Sequence, residues 1–200
     1  DSGDLAYLSK EARRMLDEAG LQEAVISGSN DLDEYIIRDL KMQGAKIKAW
    51  GVGTKLITSD GSSSMGGVYK LAAEFEADQM VPKMKISDNV EKMTNPGLKK
   101  LYRVYQQGKI KADLITLANE TLDSDKALLL SDETHAWKKI VLPPESYELR
   151  EMLVPIFQNG SCVYKQPSLP EIKAYAQSEM ETRWDEHKRL TNPEQMRVDL

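Results

Sequence analysis

The chain has 200 residues, of which 40% are hydrophobic and 30% are charged, and its formal net charge is −5. This composition is typical of a soluble globular protein with one large or two small domains. The composition also argues against a nucleic-acid-binding protein, because no basic stripe stands out. No apolar stretch approaches the roughly 20 residues that a membrane-spanning helix needs.

The single cysteine, Cys162, cannot form a disulfide within the chain. Its isolation favours a reducing compartment, and we predict a cytoplasmic protein. Neither histidine lies near Cys162 in the sequence, so a catalytic thiol is not expected.

The first fifty residues alternate between two kinds of pattern. Apolar residues at helical spacing predict helices over 5–19 and 32–43, with Gly20 and Gly44 as stops and Asp31 as the cap of the second helix. Short β-branched or apolar runs predict strands over 23–29 and 46–51. Such alternation predicts parallel strands joined by helical crossovers, the unit of α/β barrels and doubly wound sheets.

The alternation of helices and strands ends after residue 66. Strand-like segments with turns between them predict an antiparallel region, at 66–76, 80–87, 98–106, 109–117 and 135–143. A long amphipathic helix is expected over 168–190, with Ser168 as its cap, Pro170 in its first turn and Ile172, Ala176, Met180 and Trp184 on one face. The segment SDGSSSMGG at 59–67 is interpreted as either a mobile lid or a connector. We place the domains at 1–96 and 97–200.

Three polar loops are expected to meet at one edge of the parallel sheet, because loops that follow parallel strands emerge on the same face. They are DSGD at 1–4, SGSNDLD at 27–33 and GVGT at 51–54. Their carboxylates and hydroxyls suit a sugar, and their unobstructed backbone N–H groups suit a phosphate. We therefore predict a pocket for a phosphorylated sugar.

Each loop taken singly has a simpler interpretation. A GxGT segment occurs in many loops that bind nothing, DSGD fits a solvated turn, and Asp31 fits a plain helix cap. Only their expected convergence favours a ligand site.

Several segments resemble the bacterial nicotinate phosphoribosyltransferase family. They begin with DSGDLAYLSKEARRMLDEAG, SNDLDE and AWGVGTKLIT, and continue with MGGVYKL (65–71), NPGLKKLYRV (95–104) and the stretch from Pro167 to Leu200. The resemblance covers essentially the whole chain, and its motifs occur in order.

The resemblance implies a fold, an activity and partners. Family members form nicotinate mononucleotide and pyrophosphate from nicotinate and phosphoribosyl pyrophosphate, assisted by ATP hydrolysis, in NAD salvage. The fold implied is part of an irregular, TIM-like α/β barrel followed by a mixed, β-rich C-terminal region and a long helix, usually within a homodimer. Mg²⁺ and ATP are the implied cofactors, and no metal ligand is assigned in this chain.

The resemblance also assigns site residues. Substrate contacts are implied for Asp1, Ser2 and Gly3 near the ribose and pyridine, and for Ser29 and Asn30 near the ribosyl phosphate. Phosphate contacts are implied for the GVGT segment, through Gly51, Gly53 and Thr54.

The sequence departs from the family pattern in three ways. The phosphorylated histidine of the family precedes this chain, and we interpret His135 and His187 as structural or exposed. The chain looks cut at both ends, and DSGD looks like a loop whose strand is missing, so we expect a C-terminal fragment that is inactive alone. Finally, SDGSSSMGG at 59–67 replaces a segment that in the family usually reads closer to DQPALGG. The alternatives are a non-catalytic nucleotide-binding or interaction module, or a relative that uses nicotinamide or quinolinate.

Overall fold

A computed structural model describes residues 2–89, 92–132, 135 and 137–200. The chain divides into two compact units, Asp1–Val68 and Tyr69–Leu200. We call them the α/β unit and the β-rich unit. The division after Val68 falls earlier than the domain boundary that we expected between residues 96 and 97. That domain boundary stays a prediction.

The α/β unit has the predicted order of elements. They are α1 (Leu5–Glu18), β1 (Ser27–Ser29), α2 (Glu34–Met42), β2 (Ala49–Gly51) and the short α3 (Thr54–Ile57). Strands β1 and β2 pair in parallel, as the alternation predicted. Both strands are only three residues long, so the strands predicted over 23–29 and 46–51 are confirmed only at their C-terminal ends. The chain is therefore a mixed α/β protein whose described residues form no closed barrel.

Aspartates begin both long helices of this unit. The Asp4 carboxylate accepts a hydrogen bond from the Tyr7 backbone N–H at 2.9 Å. Asp33, and not Asp31 as predicted, caps α2 by accepting from the Ile36 N–H at 2.8 Å. The prediction was wrong because a helix cap needs extended backbone, which Asp33 has at φ −134°, whereas Asp31 lies in the left-handed region at φ 45°.

The β-rich unit is built from antiparallel strands, as predicted, with one exception. The strands expected over 66–76, 80–87 and 135–143 form only at 73–76, 79–82 and 139–142. Two hairpins are β3 (Ala73–Glu76) with β4 (Gln79–Pro82), and β7 (Leu128–Ser131) with β8 (Lys139–Leu142). A four-stranded sheet has the order β12-β6-β5-β9, from β5 (Lys99–Gln106), β6 (Lys109–Leu117), β9 (Glu148–Glu151) and β12 (Val198–Asp199). Strand β12 runs parallel to β6. A further, short hairpin consists of the two-residue strands β10 (Phe157–Gln158) and β11 (Ser161–Cys162).

The core of the β-rich unit lies between the four-stranded sheet and the β7–β8 hairpin. Val104 and Leu130 are fully buried there. Buried side chains alternate along β6, as a strand with one face on the core requires. The cluster consists of Val104, Ala112, Leu114, Leu128, Leu130, Leu142 and Tyr147.

The C-terminal helix α4 (Leu169–Thr182) is shorter than predicted, and a 3₁₀ turn at Asp185–Lys188 follows it. Its start is as predicted, because Ser168 and Glu171 form a capping box and proline lies in the first turn. The helix ends before Trp184, whose indole N–H donates to the Ile110 carbonyl of β6 at 2.8 Å. The predicted apolar face is only partly covered, since Ile172, Met180 and Trp184 are each more than two fifths exposed.

Ion pairs connect α4 to the four-stranded sheet. The Arg103 guanidinium donates to both oxygens of Asp113, at 2.7 and 2.9 Å. Glu179 of α4 accepts two hydrogen bonds from Arg150, both at 2.8 Å, and one from Arg103 at 3.1 Å. Charge pairing therefore contributes to a contact that apolar burial alone leaves incomplete.

Replacing Thr116 with valine is expected to stabilise the protein by about 1 kcal/mol. Thr116 is 7% exposed, and its hydroxyl has no hydrogen-bond partner among the described residues. Valine keeps the shape and removes a buried hydroxyl that has lost its hydration. Thermal unfolding checks this, with Thr182→Val as the control, since the Thr182 hydroxyl donates to the Glu179 carbonyl. A lower melting temperature for Thr116→Val than for the native chain would contradict the expectation.

Candidate functional site

Two of the three predicted loops lie side by side. In the parallel ladder Ser29 is the partner of Gly51, so both strands end at the same edge of the sheet. A Cβ added at Gly51 would lie 3.2 Å from the Cβ of Ser29. The structure therefore brings Ser29 and Asn30 next to the segment that contains Gly51, Gly53 and Thr54.

The third loop is connected to the other two through one apolar cluster. Ala6, two residues after DSGD, belongs to the same cluster as Leu32, which follows Asn30 and Asp31. Val52, inside GVGT, packs against the same cluster, and Leu32, one of its members, is 1% exposed. We call this group the junction cluster: Leu5, Ala6, Leu32, Ile37, Leu40, Ala45, Trp50 and Val52. Apolar side chains adjoining all three loops therefore meet in one place.

The predicted site residues of the described chain are exposed. Ser2, Gly3, Ser29, Asn30, Gly51, Gly53 and Thr54 all have open surface, and Asp1 lies outside the described residues. Gly3 has φ +79°, which only glycine adopts without strain, so the DSGD turn depends on it. A Cβ added at Gly53 would meet nothing within 4 Å. The space above Gly53 is therefore open to a ligand.

The turn after β1 has an unusual backbone. Asn30 has φ 101° and Asp31 has φ 45°, both in the region that residues other than glycine seldom adopt. Consecutive residues of this kind turn the chain sharply from β1 toward α2. Such conformations cluster at binding loops, where the surrounding structure holds them in place.

An ion pair that the sequence did not reveal links two of the loops. The Lys55 ammonium nitrogen lies 2.6 Å from Oδ2 of Asp33. The pKa of Asp33 is below its usual value because the Ile36 N–H donates to the carboxylate and Lys55 pairs with it. The pKa of Lys55 is raised by the same pairing. The residues are 22 positions apart, so spacing alone carried no signal of their contact.

The described grooves lie away from the predicted site residues. In the α/β unit, a groove of about 300 Å³ is lined by residues that precede β1 and β2, including Ile26 and Lys48. In the β-rich unit, one groove of about 750 Å³ includes Lys100 and Tyr102, and another of about 790 Å³ includes Tyr164 and Tyr175. None of these three grooves is lined by a predicted site residue.

The described residues contain no metal-binding cluster. Across the residues that the structure describes, no group of three or more His, Cys, Asp or Glu side chains is placed to hold a metal ion. His135 is exposed beside Asp132, and His187 lies 2.8 Å from the Glu194 carbonyl, in keeping with the interpretation of both as structural or exposed. Within the described chain, no helix has the length and apolar character needed to cross a membrane.

Comparison with known proteins decides the family. Residues 98–200 match the family model described as "Nicotinate phosphoribosyltransferase C-terminal domain". The chain belongs to the nicotinate phosphoribosyltransferase family. The resemblance seen in the sequence motifs is thereby confirmed.

Similar proteins carry the same family name. A nicotinate phosphoribosyltransferase of Bacillus subtilis is 45% identical over all of this chain and 41% of its own length. A human nicotinate phosphoribosyltransferase is 30% identical over all of this chain and 38% of its own length. The crystal structure of human nicotinic acid phosphoribosyltransferase matches with a TM-score of 0.72 and 28% identity, over the whole chain and 37% of that structure. The chain thus spans about two fifths of these nicotinate phosphoribosyltransferases.

Proposed function

We propose that this chain forms the C-terminal part of a nicotinate phosphoribosyltransferase. The intact enzyme would join nicotinate to phosphoribosyl pyrophosphate, giving nicotinate mononucleotide and pyrophosphate with ATP hydrolysis, in NAD salvage. Family membership supports the reaction. The observation that carries the site is the parallel pairing of β1 with β2, which places Ser29 opposite Gly51 at the edge where ligands of α/β proteins bind.

The proposed roles follow from the chemistry of each loop. The 5′-phosphate lies over Gly51 and Gly53, where backbone N–H groups and the Thr54 hydroxyl donate to its oxygens. Ser29 and Asn30 contact the ribosyl phosphate from the neighbouring loop. The first loop, with Asp1, Ser2 and Gly3, faces the ribose and the pyridine ring.

These contacts act mainly by orientation and charge. As pyrophosphate leaves, positive charge develops at the anomeric carbon, and a carboxylate held beside the ribose stabilises it. Holding the sugar phosphate at a fixed place also aligns the anomeric carbon with the nicotinate nitrogen, an effect worth several kcal/mol in general. Asp1 is the carboxylate to which this proposal gives that role.

The intact enzyme is proposed to be a cytoplasmic homodimer. ATP and Mg²⁺ belong to the same proposal, the Mg²⁺ accompanying pyrophosphate with much of its water retained. The described side chains offer no cluster of three ligands for a metal. No step is therefore assigned to Mg²⁺ in this chain, and the 200 residues are not expected to catalyse the reaction alone.

Thr54→Val and Asn30→Ala are each expected to weaken binding of nicotinate mononucleotide to the intact enzyme by about tenfold, the effect of one hydrogen bond to a charged group. Isothermal titration calorimetry measures it. Thr116→Val is the matched control, since it makes the same replacement inside the core of the β-rich unit. Unchanged affinity in both loop variants would contradict the assignment of these loops as the binding site.

Gly53→Ala adds a test at the phosphate itself. The added methyl group would meet nothing within 4 Å besides its chain neighbours, but Gly53 has φ −115° and ψ −102°, a backbone conformation that alanine adopts only with strain. We expect weaker binding together with a lower melting temperature, so affinity is measured well below the unfolding transition. Equal affinity would place the phosphate elsewhere.

A further inference from the structure

Two of the proposed ligand loops are joined by a single carboxylate. Oδ1 of Asp33 accepts from the Ile36 N–H at 2.8 Å and fixes the start of α2. Oδ2 of the same side chain accepts from Lys55 at 2.6 Å, at the first turn of α3. Asp33 thus links the segment after Ser29 and Asn30 to the segment after Gly53 and Thr54.

The link matters because the strands below it are short. β1 and β2 contribute three residues each, which fixes little of the geometry beyond their ends. A site that orients a reacting group must hold its parts within about 0.5 Å. The Lys55 and Asp33 side chains are 31% and 18% exposed, so their attraction is less screened than that of a surface pair.

The surroundings of Lys55 favour a structural partner over a free cation. Three carboxylates act on its charge: Asp33 directly, and Asp60 and Asp31 at longer range. The ammonium group keeps its full charge, but the neighbouring carboxylates offset its potential, so it attracts a phosphate less than an unpaired lysine would.

We propose that Lys55 and Asp33 are a positioning pair that sets the spacing between the Ser29–Asn30 loop and the GVGT loop, and thereby the placement of the sugar phosphate. This inference rests on the proposed function. Neither residue touches the substrate; each acts through the loop that it holds.

A double-mutant cycle in the intact enzyme tests the pair. Asp33→Asn removes the charge but keeps a good helix cap, Lys55→Met removes the cation, and Lys55→Arg preserves it. We expect each of the first two to raise KM for phosphoribosyl pyrophosphate about tenfold, with KM for nicotinate unchanged. The double variant should be no worse than either single one, and Lys55→Arg should restore most of the native value.

Three outcomes would contradict the positioning role of the pair. If Lys55→Met raises KM and Asp33→Asn does not, Lys55 contacts phosphate directly. If the two effects multiply in the double variant, the residues act independently. If only the melting temperature falls, the contact is merely structural.

A second readout separates this inference from the proposed function. Amide hydrogen exchange needs no turnover, and it should speed up in residues 29–33 and 51–57 of both single variants. If the native enzyme does not transfer ribosyl phosphate to nicotinate, the proposed function is wrong. Exchange unchanged in both segments would refute the positioning pair, whether or not the enzyme is active.

Discussion

Replacing Glu179 with glutamine is expected to lower the free energy of unfolding of the β-rich unit by about 3 kcal/mol. Glu179 is 14% exposed and accepts hydrogen bonds from two guanidinium groups, those of Arg103 and Arg150. Glutamine has nearly the same shape but no charge, and one end of its amide is a donor facing other donors. The loss stays at the lower end of the range for buried pairs because the Arg150 side chain is 40% exposed and Arg103 keeps its contact with Asp113.

Urea unfolding of the 200-residue chain measures this change. Glu181→Gln is the matched control: the same replacement on the same helix, at an exposed side chain whose partner is Gln177. We expect the control to change stability by less than about 0.5 kcal/mol. Equal effects of the two substitutions would show that the ion pairs do not hold α4 to the sheet.

The same carboxylate gives stability a pH dependence. Pairing with Arg150, and to a lesser extent with Arg103, holds the pKa of Glu179 below its ordinary value of 4.5. A carboxyl group whose pKa is lower in the folded state stabilises that state fully above the unfolded value. This contribution is lost as the pH falls below about 4.5 through the folded pKa. Between pH 6 and pH 3 the native chain should therefore lose more stability than Glu179→Gln, and a loss of the same size would contradict this origin.

Local patterns predicted the α/β unit well because its elements are specified by nearby residues. Helical spacing of apolar residues located α1 and α2, and glycine followed both helices. The choice between Asp31 and Asp33 as cap failed because it depends on backbone angles that the residue types alone do not fix.

Contacts that join distant residues were missed. Strand β9 is a four-residue segment with two glutamates and an arginine, and it becomes a strand only because β5 pairs with it. Strand β12 has two residues and depends in the same way on β6. The contact between Arg103 and Glu179 spans 76 positions, so no local pattern could indicate it.

The candidate site could likewise be predicted only in part from the sequence. Its loops were predictable because alternation of strands and helices implies where chain segments emerge, and the ladder from Ser29 to Gly51 confirms that the two loops adjoin. The Lys55–Asp33 pair was not predictable, since it depends on the side-chain geometry of α3 against the α2 cap. The sequence thus located the loops, while the structure revealed the ion pair between them.

Leu32→Ala is expected to destabilise the α/β unit by about 3 kcal/mol and to weaken nucleotide binding with it. Leu32 is the most buried member of the junction cluster, at 1% exposed, and it lies in the sequence between the Asn30 turn and the Asp33 cap. The cavity left by alanine would remove contacts that hold residues next to all three loops, so the loops should lose their common geometry. Chemical unfolding and calorimetry with nicotinate mononucleotide, both on the intact enzyme, measure the two effects.

Leu130→Ala is the control for that experiment, because Leu130 is fully buried in the core of the β-rich unit and loses the same atoms. It should cost a similar free energy while the folded fraction binds the nucleotide with native affinity. If Leu130→Ala weakens binding as much as Leu32→Ala, affinity follows overall stability and the junction cluster has no special role. If Leu32→Ala binds as the native enzyme does, the three loops keep their geometry by other contacts, and the cluster does not organise the site.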